Sequence, residues 1–374
     1  MNIFTLILGM VSLGLSTGLS AHPAFALESQ LGQEAVPANE PADAKFVKQM
    51  IIDGLNTFHQ AHPGAVVQRD AHPKAHGCVL ASFEVKKNLP SEFAHGIFSQ
   101  STATPYKAWI RYSNGRPGNN PDTQPDGRGM AIKVLGVSGA KILLNDETGT
   151  QDFVMINHDV FFVRNAHDYI SFQKNPSLFM LLHPFHEFAI LTATGLEKIT
   201  NPFQSQYWSM VPYRLGPESE ARAMKYTVVP TPCDGERTVA TPVSSSPNFL
   251  LEAMVSSMQK GDACFNFQMQ LQKNGKSMPI EDPTISWDAA GASYTIVATI
   301  RIAKKDNDGK LGLQNKERTE FCENLSMSPW HANPELRPLG GINRVRKVVY
   351  QAISSHRHEL NNVRLAEPTG KETF

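Results

Sequence analysis

The chain has no excess of charge of either sign: 35 basic side chains stand against 35 acidic ones in 374 residues, and charged residues make up only 19% of the whole. That excludes the broad field that draws a protein onto nucleic acid or anionic lipid, and it points to small molecules as partners. After the first 26 residues there is no long apolar run, so no stable membrane span is expected once that segment is removed. Cysteine is scarce and widely spaced: Cys78, Cys233, Cys264 and Cys322 contain no close pair of the kind that holds zinc. They suit an oxidising compartment and leave three pairings open, among them Cys233 with Cys264, both in the turn-rich middle of the chain. Internal repeats, low-complexity tracts and an interdomain linker are all missing.

What is present begins with "FTLILGMVSLGLSTGL" from Phe4 to Leu19, too short and too rich in Gly, Ser and Thr to span a bilayer, followed by "AFA" at 24–26. This is the pattern of an export signal ending at a small-x-small cleavage site. The expectation is a signal peptide over 1–26, a single domain over 27–374, and a periplasmic or secreted protein. With 41% hydrophobic residues the mature part can build a substantial core.

Phe46, Met50, Ile51 and Leu55 have helical spacing and Pro63 ends the run. From 77 to 172 the texture changes to short runs rich in Val, Ile, Phe and Tyr, separated by Asn, Gly, Pro and Asp: "CVLASFEV", "YKAWIRYSN", "RGMAIKVLGV", "AKILLND" and "QDFVMINHDVFFV". No helix of ten to fifteen residues alternates with them, which excludes a parallel α/β sheet and predicts an antiparallel sheet or barrel. Short helices are expected within 166–221, further strands at "AMKYTVVP", "FQMQLQ" and "SYTIVATIRI", and a helix at "NFLLEAMVSSMQKG". Residues 305–345 read as mostly irregular, and "VRKVVYQAISSHRHEL" as a terminal helix.

The chemistry starts at "AHPKAHGC", Ala71 to Cys78. His72 and His76 are four apart, but Pro73 disfavours a helix between them, and the glutamate of an HExxH zinc site is missing. Either both are ordinary histidines before a strand, or one is an acid–base group with Arg69 three residues before it. Arg111 inside "AWIRYSN" and Arg128 inside "PDGRGMAIKV" are guanidiniums among aliphatics, which either point outward from a strand or meet an anion. Arg346 and Tyr350 are one helical turn apart, so the guanidinium can bond the phenol or favour its anion; Arg357 follows seven residues on. A phenolate suits ferric iron, and tyrosine is a recognised proximal haem ligand.

These blocks resemble the haem-containing catalases. "RDAHPKAHGCVLASFEV" is similar to the family's Arg-x-x-His stretch and its following strand, "IRYSNG" to the next strand, and "DGRGMAIKV" to its Asp-x-Arg-Gly-x-Ala-x-Lys motif. "DFVMINHDVFFVRN" and the Arg346, Tyr350, Arg357 spacing follow in the family's order over roughly residues 65 to 358. The resemblance implies an α+β fold, an antiparallel eight-stranded β-barrel with helical additions that lacks the C-terminal helical domain of large catalases. It is nearest to the short catalase-related haem peroxidases. It further implies haem b with Tyr350 as the iron ligand, and Arg69, Arg111, Phe161, Arg346 and Arg357 as further cofactor-binding residues.

By the same resemblance His72 is the distal acid–base residue, favoured over His76 by the Arg-x-x-His spacing. The family's distal asparagine falls on Ile156, one residue before Asn157, so either the backbone shifts to present Asn157 or the pocket lacks this amide. The function implied is reduction of hydrogen peroxide or organic hydroperoxides by a small organic donor, with weak catalase activity. The alternatives are rearrangement of a fatty acid hydroperoxide and non-enzymatic haem binding. A monomer or simple homodimer is expected.

Overall fold

The structure, a computed structural model, describes residues 31–99, 104–220, 222–233 and 245–374. The expected signal peptide lies outside the described residues. Alternation of apolar and polar side chains builds seven long strands: β1 (Ala75–Val85), β2 (Tyr106–Asn114), β3 (Arg128–Leu135), β4 (Thr150–Ile156), β7 (Ala223–Thr231), β8 (Ala263–Leu271) and β9 (Tyr294–Ile302). Two short ones, β5 (Tyr207–Trp208) and β6 (Tyr213–Arg214), complete the set.

All pairings are antiparallel, in the order β5-β4-β3-β2-β1-β9-β8-β7-β6. Strand β5 pairs with β4 at Ile156–Trp208 and with β7 at Tyr207–Val228. That double pairing closes eight strands into a barrel and leaves β6 as an addition beside β7, so the ring has no open edge.

The period of two decides which side chains enter. Ile110 and Tyr112 join the barrel core while Arg111 and Ser113 face outward; Phe153 and Met155 enter while Val154 and Ile156 do not. Inside, Phe83, Phe98, Phe153, Tyr226 and Phe267 pack with ring centroids 4.8–6.2 Å apart. Each such ring contributes about 2–3 kcal/mol by leaving water, and the tilted and edge contacts add to that.

The helices lie outside the barrel: α1 (Glu40–Ala61), α2 (Ala166–Lys174), α3 (Pro176–Leu182), α4 (His186–Leu196), α5 (Phe249–Lys260), α6 (Lys316–Asn324) and α7 (Gly341–Leu360). The expected N-terminal, middle and C-terminal helices are thus present. Ala44, Val47 and Ile51 of α1 pack on Val345 and Val349 of α7, so the two amphipathic faces cover each other. Arg344 fastens this pair by ion pairs to Glu34, Glu40 and Glu281. Helix α7 starts after Gly340, whose φ of +85° and close approach to the Ile280 carbonyl, 2.4 Å from where a Cβ would stand, admit no side chain.

Two expectations are corrected. "AKILLND" is not a strand: it crosses the surface between β3 and β4 with Leu144 86% exposed, held by Ile142 N on the Ala332 carbonyl and by Lys141 Nζ on the Thr150 carbonyl and Asn333. Its apolar residues cover a connection and have no ladder partner. In the segment expected to be mostly irregular, Lys316–Asn324 is a helix, N-capped by Asn315 through Arg318 N. All four cysteines are paired: Cys233 with Cys264, one of the pairings left open by the sequence, and Cys78 with Cys322, tying β1 to α6.

Candidate active site

A cavity of about 750 Å³ lies between the outer face of β2–β4 and helices α1, α2 and α7. Its walls are mainly apolar, as a ligand-binding cavity requires, and the polar groups converge at a few points. Among the lining residues are His72, Arg69, Arg111, Phe161, Arg346, Tyr350 and Arg357. The sequence spacing between the first and last of these is nearly the whole length of the domain, and the fold brings them to one chamber.

His72 comes just before β1 and has a φ of +59°, a left-handed conformation that costs a non-glycine residue energy and is found mostly where function demands it. Its N–H bonds the Gly115 carbonyl at 3.1 Å, and its Nδ1 lies 3.0 Å from Ser113 Oγ on β2. The ring lies flush on β3: a Cβ at Gly129 would stand 2.5 Å from His72 Nδ1. Glycine is therefore needed at 129 for the ring to reach this position. Burial, with help from the nearby Arg111 and Arg346 charges, pushes the imidazole down to about 4. It is neutral at pH 7, ready to accept a proton.

His76 is four residues on but elsewhere. It is buried in β1, 3.6 Å from Asp122, and does not line the cavity. The histidine pair is not a metal site, and only His72 reaches the chamber.

On the helical side, α7 presents Tyr350, Arg346 and Arg357. The Arg346 guanidinium lies over the Tyr350 ring, 5.4 Å from its centroid. Burial works against the Arg346 charge, but the phenols of Tyr350, Tyr213 and Tyr226 hold its pKa above the ordinary value. Phe161 forms part of the wall and packs on Phe162 at 4.8 Å.

The third feature is a cradle of three guanidiniums around one carboxylate. Glu323 of α6 meets Arg69 Nη1 at 2.6 Å, Arg111 Nη2 at 3.2 Å and Arg357 Nη1 at 3.6 Å. Arg69 also bonds the Leu325 carbonyl and Arg111 the Pro73 carbonyl, which fixes both in place. Nε of Arg111 and Nε of Arg357 are buried without a hydrogen-bond partner. Burial depresses Arg357 to about 9 and Arg111 to about 10, with mutual repulsion adding to the effect. Three positive charges against one negative leave two, together with unused donors. This is the signature of a site for an anion carrying two negative charges.

Asn157 is not brought to the cavity. Its Oδ1 accepts from Arg128 N at 2.6 Å and its Nδ2 donates to Glu197 Oε2 at 2.6 Å, so the amide is spent locking β3 to the chain after α4. Ile156, one residue earlier in β4, occupies the cavity wall. Because strand side chains alternate, a shift of one residue exchanges the faces, and the pocket lacks this amide. Arg128 faces another way as well, bonding the Asp122 and Gln124 carbonyls and Asn114.

Sequence reading missed Glu323. Its helix, "KERTEFCEN", is polar and carries little periodicity; the cue was a cysteine, Cys322, beside the acid. A second buried cluster was also missed. Glu147, Asp152 and His331 converge closely enough to ligate a cation, but Lys133 Nζ already stands among them, 2.8 Å from Asp152 and 3.1 Å from His331 Nδ1.

Residues 34–180 match the family model described as Catalase. Solved structures with the same fold include a fungal catalase, with a TM-score of 0.60 and 15% identity over 87% of this chain and 65% of that one. A bacterial catalase has a TM-score of 0.59 and 14% identity over 85% of this chain and 63% of that one. The chain thus spans less than two thirds of the length of these catalases. No curated protein matches it in sequence.

Proposed function

We propose that this catalase-like protein is a haem-dependent peroxidase that reduces hydrogen peroxide or an organic hydroperoxide at the expense of a small organic donor, with weak catalase activity. The observation that carries the reading is that one cavity unites a neutral histidine, a tyrosine under a guanidinium, and a cradle with two positive charges to spare. The donor set fits haem b: Arg69, Arg111 and Arg357 would hold its two propionates, Tyr350 its iron, and Phe161 and the aliphatic walls its ring. When bound, the haem supplies the redox centre for two-electron reduction of the peroxide O–O bond.

The chain's own residues handle position and protons. His72 Nδ1, engaged with Ser113, leaves Nε2 to take the hydroperoxide proton and return it to the departing oxygen, so that ROOH, two electrons and two protons become ROH and water. Arg346 over the Tyr350 ring would offset the negative charge of that side chain as an iron ligand. With Val154, Met155 and Ile156 as its contribution to the cavity, β4 offers no amide there to orient a further peroxide, which favours oxidation of an organic donor.

A second reading, rearrangement of a fatty acid hydroperoxide, is favoured by one observation. Leu181, Leu182, Phe185 and Leu196 are 63–86% exposed on the segment whose Leu191, Thr194 and Gly195 line the cavity, so an apolar surface adjoins it. Export to the periplasm or outside the cell is supported by the two disulfides. Among the described residues no helix is long and apolar enough to cross a membrane.

The test is the absorption spectrum of the purified protein before and after one equivalent of hydrogen peroxide, with and without an aromatic donor, alongside product analysis with a lipid hydroperoxide. Peroxidase action requires a haem spectrum, a change on adding peroxide and its reversal by the donor. Haem that ignores peroxide would leave a binding protein. The His72→Ala variant should keep its haem and react with peroxide about 100-fold or more slowly, read by stopped flow; unchanged kinetics remove His72 from the mechanism.

A further inference from the structure

We propose that Glu323 is the specificity-determining residue of the arginine cradle: it sets the net charge of the site at two and thereby matches it to a ligand with two carboxylates. The proposal rests on the haem reading above. Its basis is geometric. A single carboxylate reaches all three guanidiniums, at 2.6, 3.2 and 3.6 Å. It accepts a hydrogen bond from Arg111 Nη2 and forms ion pairs with Nη1 of Arg69 and of Arg357, while Nε of Arg111 and Nε of Arg357 are buried without a hydrogen-bond partner. Glu323 therefore leaves these Nε donors free for an incoming anion and cancels one charge without occupying them.

Glu323 is also a fixed charge. Its neighbour Cys322 is bonded to Cys78 of β1, and Cys78 lies directly opposite Arg111 in the β1–β2 register. Phe321, on the other side, packs edge-on against Trp109 of β2 at 5.2 Å, and Arg318 lies over the same indole at 5.2 Å. Helix α6 has only nine residues and would be marginal alone, so these contacts and the disulfide hold the acid in place. A carboxylate that cannot retreat repels the ligand's carboxylates permanently, in return for holding three buried guanidiniums together while the site is empty. Although burial opposes its charge, the three arginines keep Glu323 well ionised, below the usual carboxylate range.

The sign of the effect separates this role from a merely structural one. Glu323→Gln keeps the shape and removes the charge. The expected result is slower loss of ferric haem to an excess of haem-scavenging apoglobin, by about five-fold or more, and no change for haem dimethyl ester, whose carboxyls are capped. The haem-free variant should melt below the wild type, because three guanidiniums lose their counter-charge. Haem lost at an equal or faster rate, or an equal effect on the ester, overturns the proposal.

The wild type supplies a second measurement should the variant fail to fold: release should quicken at the first esterification and again at the second, and a diester held as long as haem overturns the charge match. A wild-type protein that takes up neither porphyrin rejects the haem reading instead. The charge balance is then judged on the haem-free proteins, where an unchanged melting temperature in Glu323→Gln overturns it.

Discussion

Two of the buried charge clusters, on adjacent strands of the barrel, are built on opposite plans. Around Lys133 of β3, a lysine and a histidine meet Asp146, Glu147 and Asp152, and each cation lies within 3.3 Å of a carboxylate. Burial raises the Glu147 carboxyl while Lys133 and His331 draw it down, and every charged group of the cluster has an opposite partner within reach. Around Arg111 of β2, three guanidiniums share one carboxylate and keep donors unused. The first cluster is complete without a ligand and reads as structure. The second lacks two negative charges and reads as a binding site. Charge imbalance in a buried cluster separates the two more sharply than residue type does, since both contain the side chains that active sites use.

The histidines repeat the contrast. Burial and Lys133 oppose the His331 charge, but Asp152 and Asp146 prevail and hold it up at about 9, whereas burial and the arginines push His72 down to about 4.

The largest expected effect comes from breaking the complete cluster. Lys133→Met leaves Glu147 and Asp152 buried against each other and should cost about 3–5 kcal/mol in urea denaturation of the haem-free protein. A cost below 1 kcal/mol would mean that the cluster is not balanced by its lysine.

Next come the two pH limbs. His331 titrates higher folded than unfolded, so its contribution is fully present below about 6.5 and is lost as pH rises through about 9, amounting to about 3 kcal/mol. His72 titrates lower folded than unfolded, so the protein loses stability as pH falls from about 6.5 toward 4, by about 2 kcal/mol because the ring is only partly shielded from cavity water. Denaturation midpoints across pH should show the alkaline limb flattened in His331→Asn and the acid limb flattened in His72→Gln; the reverse assignment would break the comparison.

The smallest effect sharpens it. Arg357→Met removes a charge from a cluster that has too many, so the stability of the haem-free protein should stay within about 1 kcal/mol of the wild type. A loss like that of Lys133→Met would show the cradle to be structural after all.

Much of this was legible in the sequence, for reasons that differ by residue. Arg111 and Arg128 stood out alike as guanidiniums among aliphatics, with an outward face or an anion both open, and Tyr350 stood out because Arg346 precedes it by one helical turn. The strands at 106–114 and 223–231 followed from β-branched and aromatic runs bounded by turn formers. The helix Lys316–Asn324 was hidden, since its nine mostly polar residues carry no apolar stripe and its packing depends on a disulfide to a strand 244 residues away in sequence. The choice between Ile156 and Asn157 was hidden too, because strand alternation turns a one-residue uncertainty into opposite faces.

Local order in the chain determined by itself the alternation that builds the strands, the amphipathic helix bearing Tyr350, and the Arg69–His72 and Arg346–Tyr350 spacings. Those depend on neighbours a few residues apart, where backbone geometry leaves little choice. Only the tertiary structure decided which histidine faces the cavity, that Asn157 is spent on the Arg128 amide and the Glu197 carboxylate, and that Glu323 belongs with three arginines. These depend on long-range closure of the barrel, and a buried charge acquires its meaning only from the charges that closure places beside it.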